Sequence, residues 1–288
     1  MGGNTVSIFQ LWSPAVLVTA IAAGWLYTKI TGSWSEKFRD AEPVPVNMKR
    51  NFYLGLILFF VSEGTPLGYL GHNYMFSAHM TQMSLNYLII PPLILTGLPA
   101  WVIWPIIEMK GIRGCMKLFT HPIVAVLLFN LFFSFYHIPF IMNTLMANDL
   151  LLFLYHTLLV VTSFTMWFPV FCPVPEWDRI TSLQKIAFVA VNGVLLTPAC
   201  ALIIFAQTPL YEMYLNVIVP FPYLSLLDDQ QLGGVIMKIM QEITYGIAIG
   251  IIFFKWFRTE RSKNPDLQMD APMEPQENNS LQPSAFLK

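Results

Sequence analysis

The chain has 288 residues, 55% of them apolar and 11% charged, with 23 Phe and 8 Trp. The charged fraction is about half that of a soluble domain, and the apolar surface exceeds what one water-soluble core would use, so the composition points to a polytopic membrane protein. A formal net charge of -1 gives no basic field for nucleic acid, and three cysteines (Cys115, Cys172 and Cys200), none in a CxxC pair, exclude a disulfide framework or a cysteine metal knuckle.

The opening stretch MGGNTVSIFQ has no basic residues ahead of its apolar run, so it reads as the approach to an uncleaved first span rather than a secretory leader. MGGN also lacks the Ser or Thr of a myristoylation signal. Seven apolar segments follow, at 11–30, 52–70, 74–95, 122–142, 149–171, 184–207 and 233–256. A helix of about 20 residues crosses the hydrocarbon while satisfying its own backbone groups, so the expected fold class is all-α: a polytopic integral membrane protein with a seven-transmembrane-helix bundle. Pro91 and Pro92 predict a kink or stop at the inner end of the third span, with LPAWVIWPIIEM lying along the interface. The bundle is expected to occupy residues 1–263. The tail 264–288, rich in Pro, Gln, Glu and Asn, has little to bury and reads as disordered and cytoplasmic.

Orientation follows from the linkers. Lys37, Arg39, Lys49 and Arg50 follow the first span, Lys110, Arg113 and Lys117 the third, Arg179 and Lys185 the fifth, and Lys255, Arg258, Arg261 and Lys263 the seventh. The alternate linkers GHN, NTLMAN and TPLYEMYLNVIVPFPYLSLLDDQQL contain no Lys or Arg. Basic linkers stay in the cytoplasm, which puts the N-terminus outside and the C-terminus inside a multi-pass cell-membrane protein.

With that orientation, four of the five histidines fall at the outer end: His72 at the surface, His79 about one turn down the third span, His137 near the outer end of the fourth and His156 about two turns down the fifth. His121, at the cytoplasmic start of the fourth, reads as an interfacial anchor or cap. His79 and Met83 are four residues apart on one helical face, with Met75 and Met80 nearby. Imidazole with thioethers is a soft donor set suited to copper, particularly Cu(I). Against this, methionine is a common core filler, and single membrane histidines often only bond across helices. Glu63 and Glu242, both inside predicted spans, are candidates for orienting an imidazole or forming an ion path, or else are protonated acids bonded to a neighbouring Tyr or Ser. Lys238 reads as a snorkelling lysine. Asp228 and Asp229, before the last span, could receive a cation or simply cap the helix. The linker 208–232, with Tyr211, Tyr214, Phe221 and Tyr223, offers either an aromatic docking surface or a lid packed on the helices.

The order WSP at the first span, FSAHMTQM, PPLILTGLP, the HP at His121, the His137 and His156 spans followed by WFPV, and DQQLGGVIM resembles the CtaG family of cytochrome c oxidase assembly factors, of the Bacillus-like caa3 type. The likeness covers nearly the whole membrane part. It implies a non-enzymatic, chaperone-like factor that binds copper on the outer side and assists oxidase metallation, with His79, His137 and His156 as ligands and oxidase subunits as transient partners; homo-oligomerisation stays open. The family pattern has HMxxHM where this chain has HMTQMS, so Met83 stands at the second histidine position, a change Cu(I) tolerates better than Cu(II). His72 joins the candidate ligands by position. The alternatives are a small-substrate or metal transporter relaying protons through Glu63 and Glu242, and a redox protein holding haem between histidines.

Overall fold

The computed structural model describes residues 7–217 and 223–263. The expected tail 264–288, and Phe221 of the linker, lie outside the described residues. Among the described residues the chain is all-helical: α1 (Pro14–Ile30), α2 (Val46–Gly64), α3 (Pro66–Asn73), α4 (Phe76–Gly97), α5 (Ala100–Glu108), α6 (Ile112–Phe119), α7 (Pro122–Tyr136), α8 (Pro139–Met146), α9 (Asp149–Trp167), α10 (Ser182–Ile204) and α11 (Leu226–Lys263), with short turns between.

Local chemistry sets these limits. Ser13 caps α1, accepting from Val16 N, with Pro14 at the first helical position. Thr65 and Pro66 repeat that arrangement at α3, and Thr181 with Gln184 forms a reciprocal capping box on α10. Three helices, α9, α10 and α11, are long and apolar enough to cross a membrane unaided. Three further candidate spans are bent pairs: α2 with α3 at 44°, α4 with α5 at 101°, and α6 with α7 at 78°. The sequence predicts seven spans; among the described residues three to six helices or bent pairs are long and apolar enough to cross a membrane. The first segment, α1, has 17 residues, or about 26 Å at about 1.5 Å per residue, short of the roughly 30 Å hydrocarbon thickness.

Helix α4 is central, packing against α2, α3, α9 and α11, while α10 lies between α7 and α11. Met80, Leu88, Phe129, Phe133, Met166 and Trp167 fill the interior. Outward faces carry Leu154, Val194, Ile247 and Ile251, each more than half exposed, the pattern of helices whose solvent is lipid.

The prolines behave differently from expectation. Helix α4 continues through Pro91 and Pro92 to Gly97, and the sharp turn falls at Leu98–Pro99. Pro91 has no N–H to give Tyr87 O, the acceptor four residues back. A π turn over Leu85–Ile89 absorbs the mismatch, with Ile90 N donating to Leu85 O. Ser163 Oγ and, at 3.3 Å, Trp167 Nε1 of α9 donate to Tyr87 O instead.

Candidate functional site

Helix α4 starts where α11 starts. Its N-cap residue, Met75, supplies no side-chain acceptor, and Asp229 of α11 takes that role across the bundle. The carboxylate accepts from Phe76 N at 2.6 Å, from Ser77 N at 3.4 Å and from Ser77 Oγ. A carboxylate at a helix N-terminus satisfies orphan amides and opposes the positive end of the helix dipole. Close approach depends on glycine. A Cβ at Gly233 would sit 2.7 Å from Phe76 Cδ1, and one at Gly71 would sit 2.8 Å from His79 N, where α3 crosses α4.

One turn below this cap, side chains of three helices meet. Tyr136 Oη, at the end of α7, lies 2.9 Å from His79 Nε2 of α4 and 3.2 Å from His156 Nε2 of α9. On the far side of the second ring, Tyr87 Oη lies 2.6 Å from His156 Nδ1. His79, Tyr136 and Tyr87 are each at most 2% exposed. Two imidazoles thus point their Nε2 atoms at one oxygen.

His137 is adjacent in sequence but bonded elsewhere. Its Nδ1 lies 2.7 Å from Phe133 O, and its Nε2 is buried without a partner. A ring nitrogen tied to a carbonyl leaves the other nitrogen's lone pair free, the usual state of a metal-bound histidine. His72 is exposed on α3, and Met83 is buried in α4 among the core side chains. Among the described residues no three His, Cys, Asp or Glu side chains are grouped to hold an ion. His79 and His156 present two convergent imidazoles, a pair that could hold a soft metal ion such as copper, while His137, its ring 5.4 Å from that of Tyr136, keeps an unpartnered Nε2.

The acidic candidates separate. Glu63 accepts from Asn86 Nδ2, one residue before Tyr87. Glu242 forms an ion pair with Lys238 at 2.7 Å on the outer surface of α11, apart from the histidines. Asp228 is exposed and bonded to Ser225 at 2.6 Å, so only Asp229 enters the site.

The linker before α11 closes this end of the bundle. Tyr211 stacks on Phe76 at 4.7 Å, Tyr214 meets it edge-on at 5.7 Å, and their hydroxyls donate to His137 O and Gly71 O. Burial pushes both phenols well above the usual tyrosine range, so both remain donors at any physiological pH. Tyr211 and Tyr214 of this linker pack on the helices, as a lid would, whereas Tyr223 is 99% exposed. The residues that sequence reasoning missed are Tyr87, Tyr136 and Ser77. Their only signal was a helical spacing that lined up Tyr87 with Met83 and Tyr136 with Phe133.

An all-helical bundle with several apolar helices of membrane-spanning length, built around a buried histidine–tyrosine cluster at one end, defines the class as a membrane protein with a polar site near one face. The profile of the cytochrome c oxidase caa3 assembly factor family (Caa3_CtaG) matches residues 25–259, and the chain belongs to that family. No curated protein and no solved structure matches it.

Proposed function

We propose that this protein assists assembly of a caa3-type cytochrome c oxidase by carrying copper, as cargo, on the outer side of the membrane. The observation that carries the reading is the convergence of His79 and His156 Nε2 on a single buried point, 2.9 and 3.2 Å from one hydroxyl. Imidazole binds copper well, and Met75, Met80 and Met83, all buried and within four residues of His79, add thioethers of the kind that favour Cu(I) to the same helix end. The site is an outer one if the basic linkers lie in the cytoplasm, since Lys117 and Arg179 meet at the opposite end of α7 from Tyr136, through an Arg179 Nη1 bond of 2.9 Å to Lys117 O.

The competing readings have less support. A proton relay through Glu242 meets its ion pair with Lys238. Haem between His79 and His156 would need room for a whole porphyrin between two rings bridged by a single hydroxyl, far more than that hydroxyl moving aside provides.

In a deletion strain grown at limiting copper, the oxidase polypeptides should be present with a reduced copper-to-haem ratio. A fully metallated oxidase there would remove the reading. In the purified factor, His79→Ala should lower bound copper severalfold while leaving helical content unchanged.

A further inference from the structure

Metal–imidazole bonds are about 2 Å long. That is shorter than either distance from Tyr136 Oη to the two Nε2 atoms, 2.9 and 3.2 Å. An ion bridging His79 and His156 would therefore come within contact of the oxygen now lying between them. The second tyrosine stands differently. Tyr87 Oη, 2.6 Å from His156 Nδ1, is on the far side of the ring from any such ion. When His156 carries its proton on Nδ1 and donates a hydrogen bond to Tyr87 Oη, the Nε2 lone pair is aimed inward, the arrangement that orients metal-bound histidines elsewhere.

We infer that the two tyrosines act with opposite sign on the ion: Tyr136 is a placeholder that keeps the two imidazoles converged in the empty protein and must move aside for loading, whereas Tyr87 is a positioning residue that aims His156. This inference rests on the copper-carrying reading of the same cluster. Position supports the division of labour. Tyr136, fully buried, is the last residue of α7 and is followed by the break at His137 and Ile138, so a shift of this helix end would carry its hydroxyl aside without disturbing a continuous helix. Tyr87 sits inside the π turn, and its carbonyl is fixed by Ser163 and Trp167, so it is held from both ends. π turns recur at functional sites because they re-aim single side chains. The placeholder also accounts for a buried polar pair kept in register without an ion. With His156 protonated on Nδ1, the Tyr136 hydroxyl donates to His156 Nε2 and accepts from His79 Nε2–H, so without it one buried acceptor and one buried donor would go unsatisfied.

The experiment is competition between the purified full-length protein in detergent and a calibrated Cu(I) chelator, repeated with Ag(I), for wild type, Tyr136→Phe and Tyr87→Phe. Tyr136→Phe should tighten binding about tenfold, because two hydrogen bonds no longer have to be broken on loading. Tyr87→Phe should weaken it about 10- to 100-fold. A merely structural role would move both variants the same way, so equal or same-direction shifts overturn the inference. Wild type itself gives a readout that does not depend on a variant folding: one equivalent of Ag(I) should perturb tyrosine absorbance in the ultraviolet difference spectrum. Binding without that perturbation also overturns it. Failure of the copper-carrying reading is distinguishable, since wild type then binds neither ion and His79→Ala changes nothing.

Discussion

Asp229 is 2% exposed, a depth at which an acid is costly unless each oxygen is answered. Here two amides and a hydroxyl at the start of α4 answer it, and its neighbour Asp228 stays in solvent. Asp229→Ala should destabilise the protein by about 2 kcal/mol or more, the combined loss of a cap and of charge-assisted hydrogen bonds, and should release copper as the first turn carrying His79 frays. Asp228→Ala should change stability by no more than about 0.5 kcal/mol. Thermal unfolding followed by helical signal in detergent checks both, and equal effects would refute the assignment of the cap. Sequence alone could not choose between the two carboxylates, because successive helical residues differ by about 100° in direction and the partner lies 153 positions away. For the same reason the places of His79 and His156 one and two turns into their helices were legible, but their tyrosine partners were not. An aromatic in an apolar run reads as core packing until another helix brings a nitrogen to its hydroxyl.

At the level of elements, hydropathy windows hid the breaks. The runs at 52–70 and 122–142 look continuous, yet Thr65–Pro66 and Ile138–Pro139 each begin a new helix, whereas the run at 74–95, where Pro91 and Pro92 predict a break, carries helix on to Gly97 and turns only at Pro99. What could not be read was that Pro91 and Pro92 would be absorbed by a π turn rather than end the helix, since that depends on Ser163 and Trp167 arriving from α9. The crossing of α3 and α4 at Gly71 gives an element-scale test. A Cβ there meets backbone, 2.8 Å from His79 N and 2.9 Å from His79 Cα, and backbone cannot yield as a flexible side chain can. Gly71→Ala should therefore cost about 1–3 kcal/mol by pushing the helices apart at the histidine. Gly114→Ala, with nothing within 4 Å of the added carbon, should cost almost nothing. A silent Gly71→Ala in thermal unfolding would mean that the crossing is looser than drawn.

For the whole molecule, the membrane class and the helical bundle were legible from composition, and the asymmetry between its ends from the placement of Lys and Arg. The proposed orientation, with the basic linkers in the cytoplasm, would put the histidine cluster outside, and the native cysteines allow a direct test. Cys115 is exposed on α6, between Arg113 and Lys117, at the end predicted to be cytoplasmic. Cys200 is buried, and burial pushes the Cys172 thiol up to about 11, leaving it protonated and slow to react near neutral pH. Cys115 is thus the native thiol that a maleimide should find. In intact cells an impermeant maleimide should leave it unlabelled, and permeabilisation should expose it. Thr208, exposed in the linker at the histidine end, supplies the counterpart. Thr208→Cys should be labelled in intact cells, and the label should disappear if the reagent is quenched outside first. A reversed pattern, with Cys115 labelled from outside and position 208 protected, would put the histidine cluster on the cytoplasmic face and remove outward delivery of copper, because an ion held there could not be handed to a partner across the bilayer.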